Sequence, residues 1–304
     1  MRNTFMNTVI DALKTREDLF ILAGDAGLGV FDDVKQAYPE RFQNLGVAEQ
    51  NTIGMASGLA MTGFKVYVYN IIPFVLYRCY EQVRNDICYQ KLPVTLVGIG
   101  SGITYAPQGM THYSVEDIGL ARTLPNLTVI SPCDPVEAKR AAEYSLKSTM
   151  PLYVRLAKRG EPVVHSNDDI DITLPLVLRD GTDVAVLFHG SIVAEVLKAH
   201  EQLASEGIHP LIVSVPMLQP LRKEVLLNLL RKVRHVVTIE EHYTIGGLGD
   251  IIRKLSGESS STWGLTTLGI PHRFLHEIMD TDTMRKHLGI SSTHLAAAVR
   301  TSLL

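Results

Sequence analysis

The chain has 304 residues, 46% apolar and 20% charged, which is enough to bury a substantial core and argues against a disordered chain. At roughly 100–200 residues per domain, two domains are expected. Its 29 Lys and Arg are interspersed with 32 Asp and Glu for a net charge of −3, which argues against a nucleic-acid or anionic-membrane partner, since those need clustered positive charge.

In chain order, Met6, Val9, Ile10 and Leu13 recur at helical spacing and predict an opening helix. Residues 1–20 also carry Asp11, Lys14, Arg16, Glu17 and Asp18, so no apolar core of signal-peptide length is present. An apolar strand over 19–23 runs into Gly24-Asp25-Ala26-Gly27-Leu28-Gly29. A helix is expected over 50–62, where Gly54, Ala56, Ser57, Gly58 and Ala60 permit close packing. A strand over 66–69, a helix over 74–88 and a strand over 94–99 follow, then a glycine- and polar-rich loop over 100–112. Strands at 127–130 and 152–156 flank a helix at 136–146. From 159 to 183 the pattern lapses around Gly160, Pro162, Asn167, Pro175 and Gly181. Beyond it come a strand at 184–188, a helix at 191–206, a strand at 211–215, a helix at 222–232, a strand at 235–239 and a helix at 246–255.

Strands alternating with helices predict an α/β chain with two parallel-sheet domains, over 1–160 and 183–304, joined by a linker at 161–182. Ligands of such sheets gather at the carboxyl ends of the strands, which directs attention to the loops at 24–29, 44–50, 70–74 and 100–112. Cys79, Cys88 and Cys133 are odd in number and lack zinc or redox spacing, so a reducing, cytoplasmic setting is expected. No segment is long and apolar enough to span a bilayer.

Three motifs offer chemistry. Glu49 opens the 50–62 helix within Gly46-Val47-Ala48-Glu49-Gln50-Asn51. Burial there suits a carboxyl that shares a proton with a ligand nitrogen, and a helix-capping carboxylate fits equally well. His112, in Gly109-Met110-Thr111-His112-Tyr113, is either an acid–base group or one of eleven merely solvated histidines. Gly246-Gly247-Leu248-Gly249 follows Glu240-Glu241-His242 and reads as an anion cradle or, preferably, as a tight turn with close helix–sheet packing. Gly24-Asp25-Ala26 with Asn51 only faintly echoes a metal–diphosphate motif, and Asp25 is rejected as a ligand.

The ordered set of segments resembles the C-terminal half of transketolase and 1-deoxyxylulose-5-phosphate synthase. It comprises Leu45-Gly46-Val47-Ala48-Glu49-Gln50-Asn51, Tyr80-Glu81-Gln82-Val83-Arg84-Asn85-Asp86, Gly109-Met110-Thr111-His112 with Glu116-Asp117, and Leu124-Pro125-Asn126. Pro132 with Asp134 and Glu137, Glu240-Glu241-His242 and Gly246-Gly247-Leu248-Gly249 complete it. The resemblance implies a pyrimidine-binding domain followed by the transketolase C-terminal domain, and thiamine diphosphate as cofactor. It implies that Glu49 hydrogen-bonds the aminopyrimidine, favouring the tautomer whose exocyclic nitrogen takes the thiazolium proton. Phe74 matches the aromatic that stacks on that ring, Tyr77 its neighbour in the pocket, and His112 the histidine at the substrate's reacting oxygen. Ile71 stands where many relatives have a further aromatic.

Three positions depart from the family. Gln108 replaces a substrate-binding aspartate, Gly100 a substrate-binding histidine, and Lys158, flanked by Arg155 and Arg159, the arginine that grips sugar phosphate. The family's Gly-Asp-Gly…Asn motif for magnesium and diphosphate is not found. The resemblance therefore implies one subunit of a split enzyme, with magnesium held mainly by a separate N-terminal-half subunit, in an assembly of two of each. The implied reaction transfers a two-carbon ketol unit between sugars. The alternatives are a pyruvate-using synthase, a 2-oxoacid dehydrogenase beta subunit, or a non-catalytic stabilising subunit.

Overall fold

The computed structural model describes residues 1–304 apart from Leu28, Arg159 and Ser260. Its strands are β1 (Leu19–Ala23), β2 (Phe42–Asn44), β3 (Lys65–Ile71), β4 (Val94–Ile99), β5 (Thr128–Ile130), β6 (Leu152–Leu156), β7 (Leu176–Arg179), β8 (Asp183–Phe188), β9 (Leu211–Ser214), β10 (Met217–Gln219), β11 (Val233–Tyr243) and β12 (Gly264–Ile270). One sheet runs β10-β5-β6-β4-β3-β1-β2 and the other β12-β11-β8-β9-β7. Both are parallel except at one edge, where β10 pairs antiparallel with β5 and β7 with β9. Every residue of β1, β4 and β6 is buried, the mark of strands covered on both faces.

Helices form where expected in the first domain, at Arg2–Ala12, Glu49–Met61 and Pro135–Lys147. The last starts on a sequence-legible cap, with Asp134 Oδ1 accepting the Glu137 N–H at 2.8 Å and Pro135 at the first position. The stretch expected as one helix over 74–88 is wound more widely. The N–H groups of Arg78 and Tyr89 donate to the carbonyls of Pro73 and Arg84, five residues back, at 3.0 and 2.9 Å. Such wide turns re-aim side chains and favour functional positions.

The two domains share their cores. Leu124, Leu127 and Val129 cluster with Leu218, Leu226 and Leu248, and Ile103, Tyr113 and Cys133 with Phe188 and Val237. The stretch expected as linker over 161–182 holds β7, whose residues alternate between half-buried and exposed as an edge strand does. Strand β10, from the second half of the chain, completes the first sheet. No helix among the described residues is long and apolar enough to cross a membrane.

Candidate functional site

The carboxyl ends of β2, β3, β4 and β6 bring Glu49, Phe74, the 100–112 loop and Lys158 to one side of the first sheet. Glu49 is the first residue of its helix and only 5% exposed. Its carboxylate lies 2.8 Å from the Arg78 guanidinium. That guanidinium in turn stacks on Phe74, 4.4 Å from the ring centroid. The i to i+4 spacing of Phe74 and Arg78 is what lets the two meet.

From Phe74 the contacts run on to the loop. The His112 ring stands edge-on to Phe74 at 5.6 Å and to Tyr105 at 6.0 Å, and Thr111 Oγ1 is 2.9 Å from His112 Nδ1. Lys158 Nζ lies 4.9 Å from the Tyr105 centroid. Glu49, Arg78, Phe74, His112, Tyr105 and Lys158 thus form one continuous series.

Tyr105 explains a departure noted in the sequence. A Cβ at Gly100 would lie 2.2 Å from two Tyr105 ring carbons, and Gly100 has φ +87°. The ring therefore fills the space where a side chain at position 100 would begin. Sequence reasoning passed over Tyr105 and Arg78. The first is signalled by a glycine vacating a side-chain position, the second only by its spacing from Phe74.

Gln108 and Lys158 meet again in a cavity of about 390 Å³ between the domains, whose far wall includes Ser191, Asp282 and Arg285. Arg285 is not free there, because its Nε donates to Glu241 Oε1 at 2.7 Å. Tyr77 turns inward, its hydroxyl donating to Glu116 Oε2 at 3.1 Å. Burial, reinforced by Asp117 and Glu116, pushes the Tyr77 pKa well above the usual phenol value. Burial also raises the Glu116 pKa, against the opposing hydrogen bond from Tyr77.

Arg155 corrects the expectation of a substrate contact. It is 1% exposed, its Nε donates to Asp117 Oδ2 at 2.6 Å, and its NH2 group donates to the Ser114 and Glu241 carbonyls at 2.8 and 2.9 Å. A guanidinium buried and bonded in this way through Nε and NH2 ties elements of the fold together and is not presented to the cavity that holds Lys158. Arg159, the other flanking arginine, lies outside the described residues. In the Gly246-Gly247-Leu248-Gly249 turn the anion is internal. Glu240 accepts the Leu248 and Gly249 N–H groups at 2.7 and 2.9 Å, and a Cβ at Gly247 would lie 2.2 Å from its carboxylate.

The family described as transketolase, pyrimidine binding domain, matches residues 1–161, and that described as transketolase, C-terminal domain, matches residues 176–295. The chain is 33% identical over 295 residues to an apulose-4-phosphate transketolase subunit of Actinobacillus succinogenes, covering 96% of this chain and 94% of that one. It is 33% identical over 302 residues to a 6-deoxy-6-sulfo-D-fructose transketolase subunit of a Clostridium species, covering 98% and 92%. A solved structure described as a split gene transketolase, inactive beta4 tetramer, superposes with a TM-score of 0.88 at 30% identity, over 99% of this chain and 97% of that one.

Proposed function

Because the chain belongs to the transketolase family and carries its pyrimidine-binding and C-terminal domains, we propose that it is one subunit of a two-component, thiamine diphosphate-dependent transketolase that moves a two-carbon ketol unit between sugars. The observation that carries this reading is the Glu49–Arg78–Phe74 stack. A flat, N–H-donating cation rests on the Phe74 face and bonds the Glu49 carboxylate, which are the two interactions a protonated aminopyrimidine needs. The residues therefore fit the cofactor ring.

When bound, thiamine diphosphate supplies the carbanion chemistry and the electron sink for carbon–carbon cleavage. Glu49 holds the proton at the ring nitrogen and thereby sets its tautomer. Phe74 fixes the ring plane. His112, beside Phe74, binds the substrate's reacting oxygen, and Thr111 at its Nδ1 orients the imidazole. Gln108 and Lys158 bind the remainder of the sugar in the interdomain cavity. Lys158 offers a point charge where an arginine would offer a fork.

The two transketolase-subunit relatives have nearly the same length as this chain, which supports a separate partner that holds the diphosphate and its magnesium. The proposed assembly is two of each subunit in the cytoplasm, and the chain alone is inactive, as the inactive beta4 tetramer of the similar structure is.

Calorimetry with thiamine diphosphate and magnesium tests this, on the chain alone and mixed with its partner. The chain alone is expected to be silent, and the mixture to bind and to transfer a ketol unit between sugars without consuming pyruvate. Tight binding by the chain alone, or a stable complex that binds no cofactor, overturns the reading.

A further inference from the structure

Away from the cofactor cluster, three side chains with ligand chemistry meet in the interior. Cys133 follows β5, Glu137 lies in the first turn of the Pro135–Lys147 helix, and His165 comes from the segment that joins the domains. The Cys133 sulfur, a Glu137 carboxylate oxygen and a His165 ring nitrogen all lie within 4.8 Å of one another. Cys133 and Glu137 are fully buried, and the His165 side chain is 8% exposed. His165 Nε2 is 3.0 Å from Glu137 Oε1, while the Cys133 N–H donates to Glu137 Oε2 at 2.7 Å.

The backbone around these groups is fixed by Asp134, which accepts from the N–H groups of Glu137, Val164 and His165 at 2.8, 2.9 and 3.2 Å. A fourth donor is at hand. Ser214, at the end of β9, is fully buried, lies near Cys133, and its hydroxyl has no hydrogen-bond partner. The local charge is also unbalanced. Asp134 and Glu137 are both buried completely, and among the described residues the only ion-pair partner of either is His165. The positive end of the helix offsets part of this charge.

We infer that Cys133, Glu137 and His165 form a site for zinc or a zinc-like divalent ion, with the Ser214 hydroxyl or a water as fourth ligand. Sulfur, nitrogen and carboxylate oxygen are the donors zinc takes in tetrahedral sites. Zinc bonds of about 2.0–2.3 Å place tetrahedral donors roughly 3.3–3.8 Å apart. Side-chain rotations on the order of 1 Å close the present arrangement around an ion, and the Cys133 proton leaves as the ion enters. Bound there, the ion staples the connecting segment, through His165, to the first-domain helix and to the end of β9. Its role is structural, since Cys133 and Glu137 are fully buried and only His165 stands at the rim.

The test uses the full chain, stripped with a chelator and then titrated with zinc and separately with cobalt. One zinc per chain is expected, with a rise in melting temperature. Cobalt should give the near-ultraviolet charge-transfer absorption that reports a thiolate ligand. His165→Gln, at the rim of the cluster, should weaken zinc binding by at least about 100-fold while leaving the circular dichroism spectrum unchanged, and Cys133→Ser should abolish the cobalt–thiolate band. Equal, weak zinc uptake by all three proteins, or a cobalt spectrum without thiolate character in the unaltered chain, overturns the site.

Discussion

At the proposed cofactor position, Glu49 and Arg78 hold each other in place. The Glu49 carboxylate is almost fully buried, and the half-exposed guanidinium of Arg78 satisfies it while covering Phe74. In the proposed function the cofactor ring takes both groups, so Arg78 gives way when it binds. An ion pair with one exposed partner is worth about 0.2–1 kcal/mol. Arg78→Ala is therefore expected to tighten thiamine diphosphate binding in the assembled enzyme by up to about fivefold, read by calorimetry. Weaker binding would instead make Arg78 a contact of the bound ring. Glu49→Gln removes the proton-holding carboxyl and keeps its shape. It should lower turnover by about 100-fold or more with subunit assembly unchanged on gel filtration, whereas a non-catalytic subunit would show no loss.

Among the elements, β6, the Asp117–Arg122 helix and β11 are tied together by Arg155. Its Nε bonds Asp117 and its NH2 group bonds the Ser114 and Glu241 carbonyls, so the buried cation has one countercharge and two carbonyl acceptors. Tyr153 also donates to Asp117 at 2.6 Å. Removing Arg155 leaves Asp117 buried without a countercharge, with only the Tyr153 hydroxyl bonded to it. Arg155→Leu is expected to cost about 3–5 kcal/mol, seen as a lower denaturant midpoint, and a change below about 1 kcal/mol would refute the account. The same arginine marks a limit of the sequence: adjacency to Lys158 suggested a ligand contact, but Arg155 lies inside β6, which is covered on both faces, whereas Lys158 follows the strand's carboxyl end. Apolar-rich runs made β1, β4, β6 and β8 legible, and the Asp134 cap marked its helix. Strand β12 carries Gly-Leu-Thr-Thr-Leu-Gly-Ile, with no sustained apolar run, and β10 has three residues paired only with β5. Strand β12 gains its order from pairing with β11, and β10 from a partner far away in sequence. Glu49, Phe74 and His112, named from family motifs, come together in one contact series, whereas a non-local fit such as Tyr105 occupying the space beside Gly100 could not be read from the sequence.

For the molecule as a whole, the seam between the domains contains a buried titrating group. His189 Nδ1 is 2.9 Å from Ser131 Oγ of the first domain, and its Nε2 is 3.3 Å from Glu240 Oε2 of the second. Burial disfavours the imidazolium, Arg155 and His242 add repulsion, and the Glu240 hydrogen bond only partly opposes them, so the His189 pKa falls below the usual 6.5. As pH drops below about 6.5, the unfolded chain takes up this proton before the folded one does. The stabilisation is complete near pH 7 and above, and it is lost as pH falls through the lowered folded pKa. Burial lowers the pKa values of His200 and His235 as well, with the same sign, so a residual slope remains when His189 is replaced. Denaturant midpoints measured from pH 8 to pH 5 should decline on the acid side. His189→Asn, which is less stable at pH 8 because the seam loses its bridge, should decline less steeply over the same range. Parallel profiles for the two proteins would show that His189 does not carry the acid sensitivity. A slope reduced only in the variant would place the first acid-induced loosening between the domains, where Gln108 and Lys158 face Ser191 and Arg285 across the cavity.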